Sequence, residues 1–147
     1  MAKQASIELK NLTKEYVTHE GSGTFLAVDH INVNIESGEF VTLLGPSGCG
    51  KTTTLRMIAG FESPDEGEIY LDNQPINGLT PNKRDTAMVF QSYNLWPHMT
   101  IYENLAFGLK LRKVPKAEID ADIKKMLALV SMSGCEKKYP NQMSGGQ

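Results

Sequence analysis

Alternating polar and apolar residues in the first third of the chain predict half-buried β-strands. One such segment runs from Ser6 to Lys10, and another runs from Leu26 to Ile35. Because successive side chains of a strand point to opposite faces, each segment is expected to bury one face only. A polar loop from Thr18 to Thr24 lies between them. The pattern therefore predicts two antiparallel strands.

The next segment has a different pattern. Residues Phe40 to Leu44 are nearly all apolar, which is typical of a strand buried on both faces of a parallel sheet. A helix is predicted from about Lys51 to Ala59, and Gly60 is expected to end it. Two further strands are predicted over residues 67–71 and 86–90.

The hydrophobic period lengthens from about residue 93, which predicts helices. Thr100 and Glu103 have the spacing of a capping box and would open a helix that continues to about Leu111. A second helix is predicted after Pro115, with apolar residues along one face. These residues are Ile119, Ile123, Met126, Leu127 and Val130.

These elements predict an α/β fold class in two parts. Residues 1–92 would form an antiparallel β subdomain together with a core whose sheet is mixed, because it also holds the buried parallel strand. Residues 93–147 would form an α-helical subdomain. The chain has 147 residues, which suits one domain or a piece of one.

Composition narrows the class of protein. The formal net charge is −2, so the chain lacks the positive charge that general binding to nucleic acids requires. The longest apolar run, residues 126–130, is far too short to span a membrane, and the first residues lack the apolar stretch of a signal peptide. Cys49 and Cys135 alone cannot build a disulfide scaffold or a four-ligand zinc site. We therefore expect a cytoplasmic chain with no nucleic-acid partner and no direct membrane insertion.

The sequence GPSGCGKT, Gly45 to Thr52, fits the phosphate-binding pattern G-x-x-x-x-G-K-[ST]. Its glycines would let phosphates approach backbone N–H groups at the start of a helix, where an anion is favoured. Lys51 would add a mobile charge, and the Thr52 hydroxyl would be an oxygen ligand for Mg²⁺. The predicted nucleotide-binding residues of this loop are Gly45, Pro46, Ser47, Gly48, Cys49, Gly50, Lys51, Thr52 and Thr53. The alternative is a Gly-rich turn without a ligand.

Three further motifs surround this loop in order. Tyr16 precedes it, Met88–Ser92 (MVFQS) follows it, and Met143–Gln147 (MSGGQ) ends the sequence. Together with the loop, they resemble the nucleotide-binding subunit of ATP-binding cassette (ABC) transporters, over the whole chain. The last motif is usually LSGGQ in that family; Met143 replaces a Leu of similar volume.

The resemblance implies a P-loop NTPase core and the binding of ATP with Mg²⁺. Tyr16 would stack on the adenine, and Val28 would pack against the same base. Gln91 would ligate Mg²⁺ or hold the attacking water, as Thr52 would ligate the metal. Lys51 and Gln91 are then the implied catalytic residues.

The resemblance also implies partners. Ser144, Gly145, Gly146 and Gln147 would grip the γ-phosphate bound to a second copy of the subunit, so that two copies enclose two ATP molecules. The region Tyr93–His98 would contact transmembrane permease subunits, which places the chain on the cytoplasmic face of a membrane. The stretch Val89–Arg112 resembles the importer branch, especially ATPases of sugar-type uptake systems.

Later elements of the family have no counterpart here: an apolar strand ending in Asp-Glu and a switch His. We therefore expect an N-terminal fragment with little or no ATP hydrolysis on its own, and an incomplete sheet prone to self-association. Earlier acidic residues in polar, turn-like contexts are expected to be solvated and not to replace them. These are Asp29, Asp65, Glu66, Asp72 and Asp85, and the histidines His19, His30 and His98 are expected to lie at the surface or in packing.

Alternative interpretations stay open at this point. A non-catalytic nucleotide-binding scaffold or regulatory module would also carry a phosphate loop. Another phosphate-loop enzyme, such as a small-molecule kinase or a GTPase, would not need the motifs at Gln91 and Ser144. The guanine-reading pattern Asn-Lys-x-Asp occurs at Asn82–Asp85, so this pattern alone leaves a GTPase open. Cys49 is either a small packing residue or a reactive thiol that bound nucleotide would mask.

Overall fold

The computed structural model describes residues 5–18, 23–91 and 94–147. The chain divides into two compact units, Met1–Met88 and Val89–Gln147, here called the sheet unit and the helical unit. The predicted domains, residues 1–92 and 93–147, have different bounds from these units and stay a prediction. Most of the loop predicted around His19 lies outside the described residues, as do Ser92 and Tyr93.

The sheet unit contains four antiparallel strands. They are β1 (Ile7–Val17), β2 (Thr24–Ile35), β3 (Glu66–Leu71) and β4 (Gln74–Pro75), in the spatial order β2-β1-β3-β4. Strand β1 is central and pairs with both β2 and β3. The strands predicted from Ser6, Leu26 and residue 67 are confirmed, and β1 continues seven residues beyond the predicted end at Lys10. The extension matters because it carries Tyr16.

One apolar cluster holds this unit together. It comprises Leu9, Leu12, Val28, Met57, Ile69 and Ile76, all at most 5% exposed. Met57 belongs to helix α1 (Lys51–Ala59), so the cluster joins this helix to the sheet. Burying such side chains contributes about 1.5–3 kcal/mol each. The helix that carries the phosphate loop is therefore fixed by the sheet core.

The predictions of strands over residues 40–44 and 86–90 are wrong. No strand is assigned over residues 40–44 or 86–90, and Phe40 and Leu44 are 93% and 94% exposed. A strand buried on both faces needs hydrogen-bonded neighbours, and within the described ranges only the four antiparallel strands pair. The α/β class is confirmed, whereas the sheet formed by the described residues is antiparallel rather than mixed.

Arg84 closes the C-terminal end of α1, and sequence reasoning missed it. Its guanidinium is buried and donates to the carbonyl oxygens of Met57 (2.7 Å) and Ile58 (2.9 Å), at the end of the helix. It also donates to the carbonyls of Leu79 and Asn77. Burial lowers the pKa of Arg84 from its ordinary value. The cation therefore acts as a cap at the end of the helix, where the Met57 carbonyl oxygen also accepts from the Gly60 N–H.

The helical unit packs α2 (Ile101–Leu111) against α3 (Lys116–Leu129). Its core comprises Ile101, Ala106, Ile119, Ile123 and Leu127. The predicted buried face of α3 is confirmed at Ile119, Ile123 and Leu127, but Met126 and Val130 are exposed. Positions 119, 123 and 127 are four residues apart and form a narrow stripe, which leaves 126 and 130 beside it. Short 3₁₀ turns lie at Pro81–Lys83 in the sheet unit and at Pro140–Gln142 in the helical unit.

The capping box predicted at the start of α2 is confirmed. The Glu103 backbone N–H donates to Thr100 Oγ1 (3.2 Å), and the Thr100 N–H donates to Glu103 Oε2 (2.7 Å). The N–H groups of Ile101 and Tyr102 donate to carbonyls of Lys138 and Glu136. The segment that leads to the C-terminal motif is thus bound to the start of α2.

Among the helices of the described residues, none combines the length and the hydrophobicity that a membrane-spanning segment requires.

We expect Arg84→Met to lower the free energy of unfolding of the sheet unit by about 1–3 kcal/mol, since it removes the charged donor shared by four carbonyl oxygens. Arg56→Met is the matched control, because Arg56 is exposed on α1, and its cost should stay below about 0.5 kcal/mol. Urea unfolding followed by circular dichroism measures both. Equal costs for the two variants would contradict the capping role.

We expect Thr100→Ala to destabilise the helical unit by about 1 kcal/mol through loss of the N-cap. Trp96, the single tryptophan, lies in this unit and donates its backbone N–H to Asn104 Oδ1 in α2, so its fluorescence reports the unfolding.

The same cap should depend on pH. Hydrogen bonds from the Thr100 N–H and hydroxyl hold the pKa of Glu103 below its ordinary value of 4.5. Stabilisation by the carboxylate is fully present above the pKa of the unfolded chain and is lost as the pH falls through the lower pKa of the folded chain. The advantage of wild type over Glu103→Gln should therefore vanish in acid; a constant difference would contradict it.

Candidate functional site

Two glycines of the predicted phosphate loop have left-handed backbone conformations. Gly48 and Gly50 have φ of 83° and 85°, which residues with side chains rarely adopt. A Cβ on Gly50 would also collide with the carbonyl oxygen of Ala27 and would lie 3.1 Å from Val28 Cγ2. The loop therefore lies directly against β2, and only glycine fits at position 50.

Gly50 is also the N-cap of α1, and no side chain caps this helix. The first intrahelical donor is the Thr54 N–H, which reaches the Gly50 carbonyl oxygen at 2.8 Å. The N–H groups at the start of a helix carry partial positive charge. The structure thus confirms the predicted helix after the loop and presents the backbone that an anion would bind.

Lys51 folds back over the loop. Its Nζ donates to the carbonyl oxygens of Gly45 and Pro46, at 2.7 Å each, and lies 3.3 Å from Cys49 Sγ. A Cβ on Gly45 would lie 2.6 Å from the same sulfur, so Gly45 makes room for Cys49. Cys49 and Thr52 are exposed. The ammonium and the thiol therefore lie together against the loop.

Tyr16 and Val28 come from the two strands beside this loop. Tyr16 lies opposite Phe25 and Val28 lies opposite Lys14 in the antiparallel register of β1 and β2. Val28 is buried and touches the loop at Gly50, whereas the Tyr16 ring is half-buried. One sheet thus connects the predicted base-stacking residue to the phosphate loop.

A buried lysine beside Tyr16 was missed by sequence reasoning. Lys14 Nζ pairs with Asp65 Oδ1 (3.1 Å) and Glu62 Oε1 (3.2 Å) and lies over the Tyr16 ring, 5.4 Å from its centroid. Burial lowers the pKa of Lys14, but hydrogen bonds with the two carboxylates outweigh it and raise the pKa above its ordinary value. The predicted strand ended at Lys10, so the sequence analysis gave no signal for a buried lysine at position 14.

Asp65 is exposed, as expected, and Asp72 is partly exposed, but both carboxylates also make specific hydrogen bonds. Asp65 accepts a hydrogen bond from the Glu15 backbone N–H (2.7 Å) and pairs with Lys14, and these contacts lower its pKa in that order of importance. Asp72 Oδ1 accepts from the Ser6 N–H at 3.0 Å. Both carboxylates bind backbone of β1 or its start, which periodicity in the sequence does not reveal.

The other two predicted motifs supply Gln91 and residues 143–147, which belong to the helical unit. Gln91 is exposed. At the C-terminus, Ser144 N–H donates to Gln147 Oε1 (3.0 Å), and Gln147 N–H donates to the Ser144 carbonyl oxygen (2.9 Å). This turn leaves Gly145 and Gly146 exposed, while Met143 packs against the helical core. The turn is thus held by its own ends and anchored by the residue before it.

Other candidate groups do not form a site of their own. His30 and His98 are exposed, as expected, and His30 pairs with Asp29, which raises its pKa. Within the described ranges, no group of three or more His, Cys, Asp or Glu residues could hold a metal ion. A cation at the loop would need oxygen atoms from a ligand in addition to those of the protein.

Comparison with proteins of known sequence identifies relatives of this chain. The chain is 53% identical over 142 residues to the spermidine/putrescine import ATP-binding protein PotA of Thermobifida fusca, and 48% identical over 147 residues to the protein of that name from Clostridium acetobutylicum. The matches cover 97% and 100% of this chain but only 36% and 40% of those proteins. Both are named for polyamine rather than sugar import.

Solved structures agree on the fold. The dimeric structure of MJ0796, a bacterial ABC transporter cassette, superposes with a TM-score of 0.86 at 35% identity and covers 96% of this chain and 64% of that one. A second, post-hydrolysis structure of this cassette, bound to ADP and Pi, gives a TM-score of 0.83. The antiparallel sheet, the phosphate loop and the helices described above are therefore those of an ATP-binding cassette.

A family model described as "ABC transporter" matches residues 28–147. The match includes the phosphate loop and the C-terminal turn, whereas Tyr16 precedes it. With most of the sequence matched and the fold shared, the chain belongs to the ABC transporter family.

Proposed function

We propose that the chain is part of the ATP-binding subunit of an ABC importer, which couples binding and hydrolysis of ATP to solute uptake. The observation that carries the proposal is the loop before α1, where Gly48 and Gly50 take left-handed conformations and no side chain caps the helix. Lys51 lies within the same loop. Backbone donors and a cation around one concave turn suit a polyphosphate.

The residues present fit ATP with Mg²⁺. The loop would hold the phosphates, because the conformations of Gly48 and Gly50 and the close contact with Ala27 exclude side chains there. The exposed Thr52 hydroxyl, one residue into the first turn of α1, would be a metal ligand together with phosphate oxygens. Gln91 would be a further ligand or hold the attacking water. Mg²⁺ would neutralise phosphate charge during transfer.

We assign Tyr16 to the base. Its ring is half-buried at the end of β1, and β2 connects it through Val28 to the loop at Gly50. A tyrosine held in this way offers a flat surface for stacking on adenine, a contact worth about 1–3 kcal/mol per base in single-strand binders.

A second copy and a permease complete the proposal. The exposed turn Ser144–Gln147 would contact the γ-phosphate bound to the other copy, in line with the dimeric cassette that this fold matches. The region Tyr93–His98 would face the permease. Its described part includes Trp96, which is 41% exposed and packs on Phe107 at 4.5 Å. The chain would then lie on the cytoplasmic face of a membrane.

The names of the two PotA relatives favour a polyamine as the transported solute. The proposed site would serve the phosphates and the base of a nucleotide rather than the solute. Solute choice would therefore belong to the permease and its partners.

We expect Lys51→Met to weaken the binding of Mg·ATP by at least about tenfold, because it removes a full charge from the phosphate site. Binding of inorganic tripolyphosphate should weaken similarly. Isothermal titration calorimetry on the folded protein measures both.

Lys83→Met is the matched control, since Lys83 is an exposed lysine of the same unit, and it should leave both affinities within about twofold. If Lys51→Met and Lys83→Met bound Mg·ATP with equal affinity, the phosphate site would be misassigned.

A further inference from the structure

The geometry points to Lys14 as a positioning residue for the nucleotide base: its immobilised ammonium holds one face of the Tyr16 ring and leaves the opposite face for the base. This inference rests on the proposed function, because it assumes that Tyr16 stacks on adenine. It adds a residue that would touch neither phosphate nor base and would act through Tyr16 alone.

The first argument is the position of the ammonium. Lys14 Nζ lies over the Tyr16 ring, 5.4 Å from its centroid, which is within the distance of a cation–π contact. The two residues are separated by one position on β1, beside a register irregularity between Lys14 and Glu15, and the ring contact itself places their side chains on one side of the strand. A base cannot occupy the face of the ring that the cation covers.

The second argument is how firmly Lys14 is held. Its side chain is 11% exposed and pairs with both Glu62 and Asp65. The same sheet offers a contrasting pair, in which Lys10 lies 4.6 Å from the centroid of the Tyr70 ring. The Lys10 side chain is 47% exposed and pairs with Glu8. Lys10 can exchange its contacts with water, whereas Lys14 is fixed.

The third argument is where the carboxylates lie. Glu62 and Asp65 follow α1, and the Glu62 N–H donates to the Arg56 carbonyl oxygen in that helix. Asp65 is in turn fixed to β1, because it accepts the Glu15 N–H and its own N–H donates to the Thr13 carbonyl oxygen. Through Lys14, the Tyr16 ring is therefore connected to the helix whose other end forms the phosphate loop.

These contacts separate the effects of Lys14 on the two parts of a nucleotide. A ligand with a base should lose affinity when Lys14 is removed, and a bare polyphosphate should not. The effect should also require the ring. Both features distinguish positioning of Tyr16 from general support of the fold.

The test is a double-mutant cycle with Lys14→Met and Tyr16→Leu, using Mg·ATP and inorganic tripolyphosphate as probes in calorimetry. Each single variant should bind Mg·ATP about three- to tenfold more weakly, with tripolyphosphate within about twofold. Adding Lys14→Met to Tyr16→Leu should change the Mg·ATP affinity by less than about twofold. Lys14→Arg keeps the charge and should restore most of the affinity.

Matched controls use the second pair: Lys10→Met and Tyr70→Leu should leave both probes unaffected. Thermal melting checks folding, and Glu62→Gln provides a milder variant that removes one anchor and should give a smaller loss for Mg·ATP alone. Equal losses for both probes, or equal effects of Lys14→Met with and without Tyr16, would overturn the role of Lys14. If Tyr16→Leu left Mg·ATP binding unchanged, the proposed base site would fail as well.

Discussion

The close approach of Gly50 to β2 is the constraint on which the rest of the site depends. Its left-handed backbone starts α1, and the Ala27 carbonyl and Val28 leave no room for a side chain. Most helices begin with Ser, Thr, Asp or Asn, whose side chains accept hydrogen bonds from the first N–H groups. Glycine at this position provides no such acceptor, so the start of α1 stays available to an anion.

Helix α1 needs support from the sheet unit because it has only nine residues, and isolated helices of that length are marginal in water. Met57 anchors its middle in the apolar core, and Arg84 binds the carbonyls at its end. The segment after it is tied to β1 through Asp65. A short helix is thus fixed at its start, middle and end by residues that are distant in sequence.

Local patterns in the sequence predicted the structure correctly at places where it depends on residues that are close together in the chain. The alternation before Ile35, the stop at Gly60 and the capping box at Thr100 all appear as predicted. The prediction over residues 40–44 was wrong because a buried strand depends on partners that periodicity cannot supply. Lys14 and Arg84 were missed for a related reason, since their partners lie up to 51 and 27 residues away.

Lys14 and Lys51 differ in what holds their ammonium groups, and this difference gives them separate roles. Lys51 donates to two neutral carbonyls of its own loop, at 2.7 Å each. A phosphate oxygen is a stronger, charged acceptor, so exchange toward a ligand is favourable. Lys14 already has two carboxylates and little exposure, so a phosphate offers it no gain. One lysine is therefore free to move to the polyanion, while the other stays with the ring.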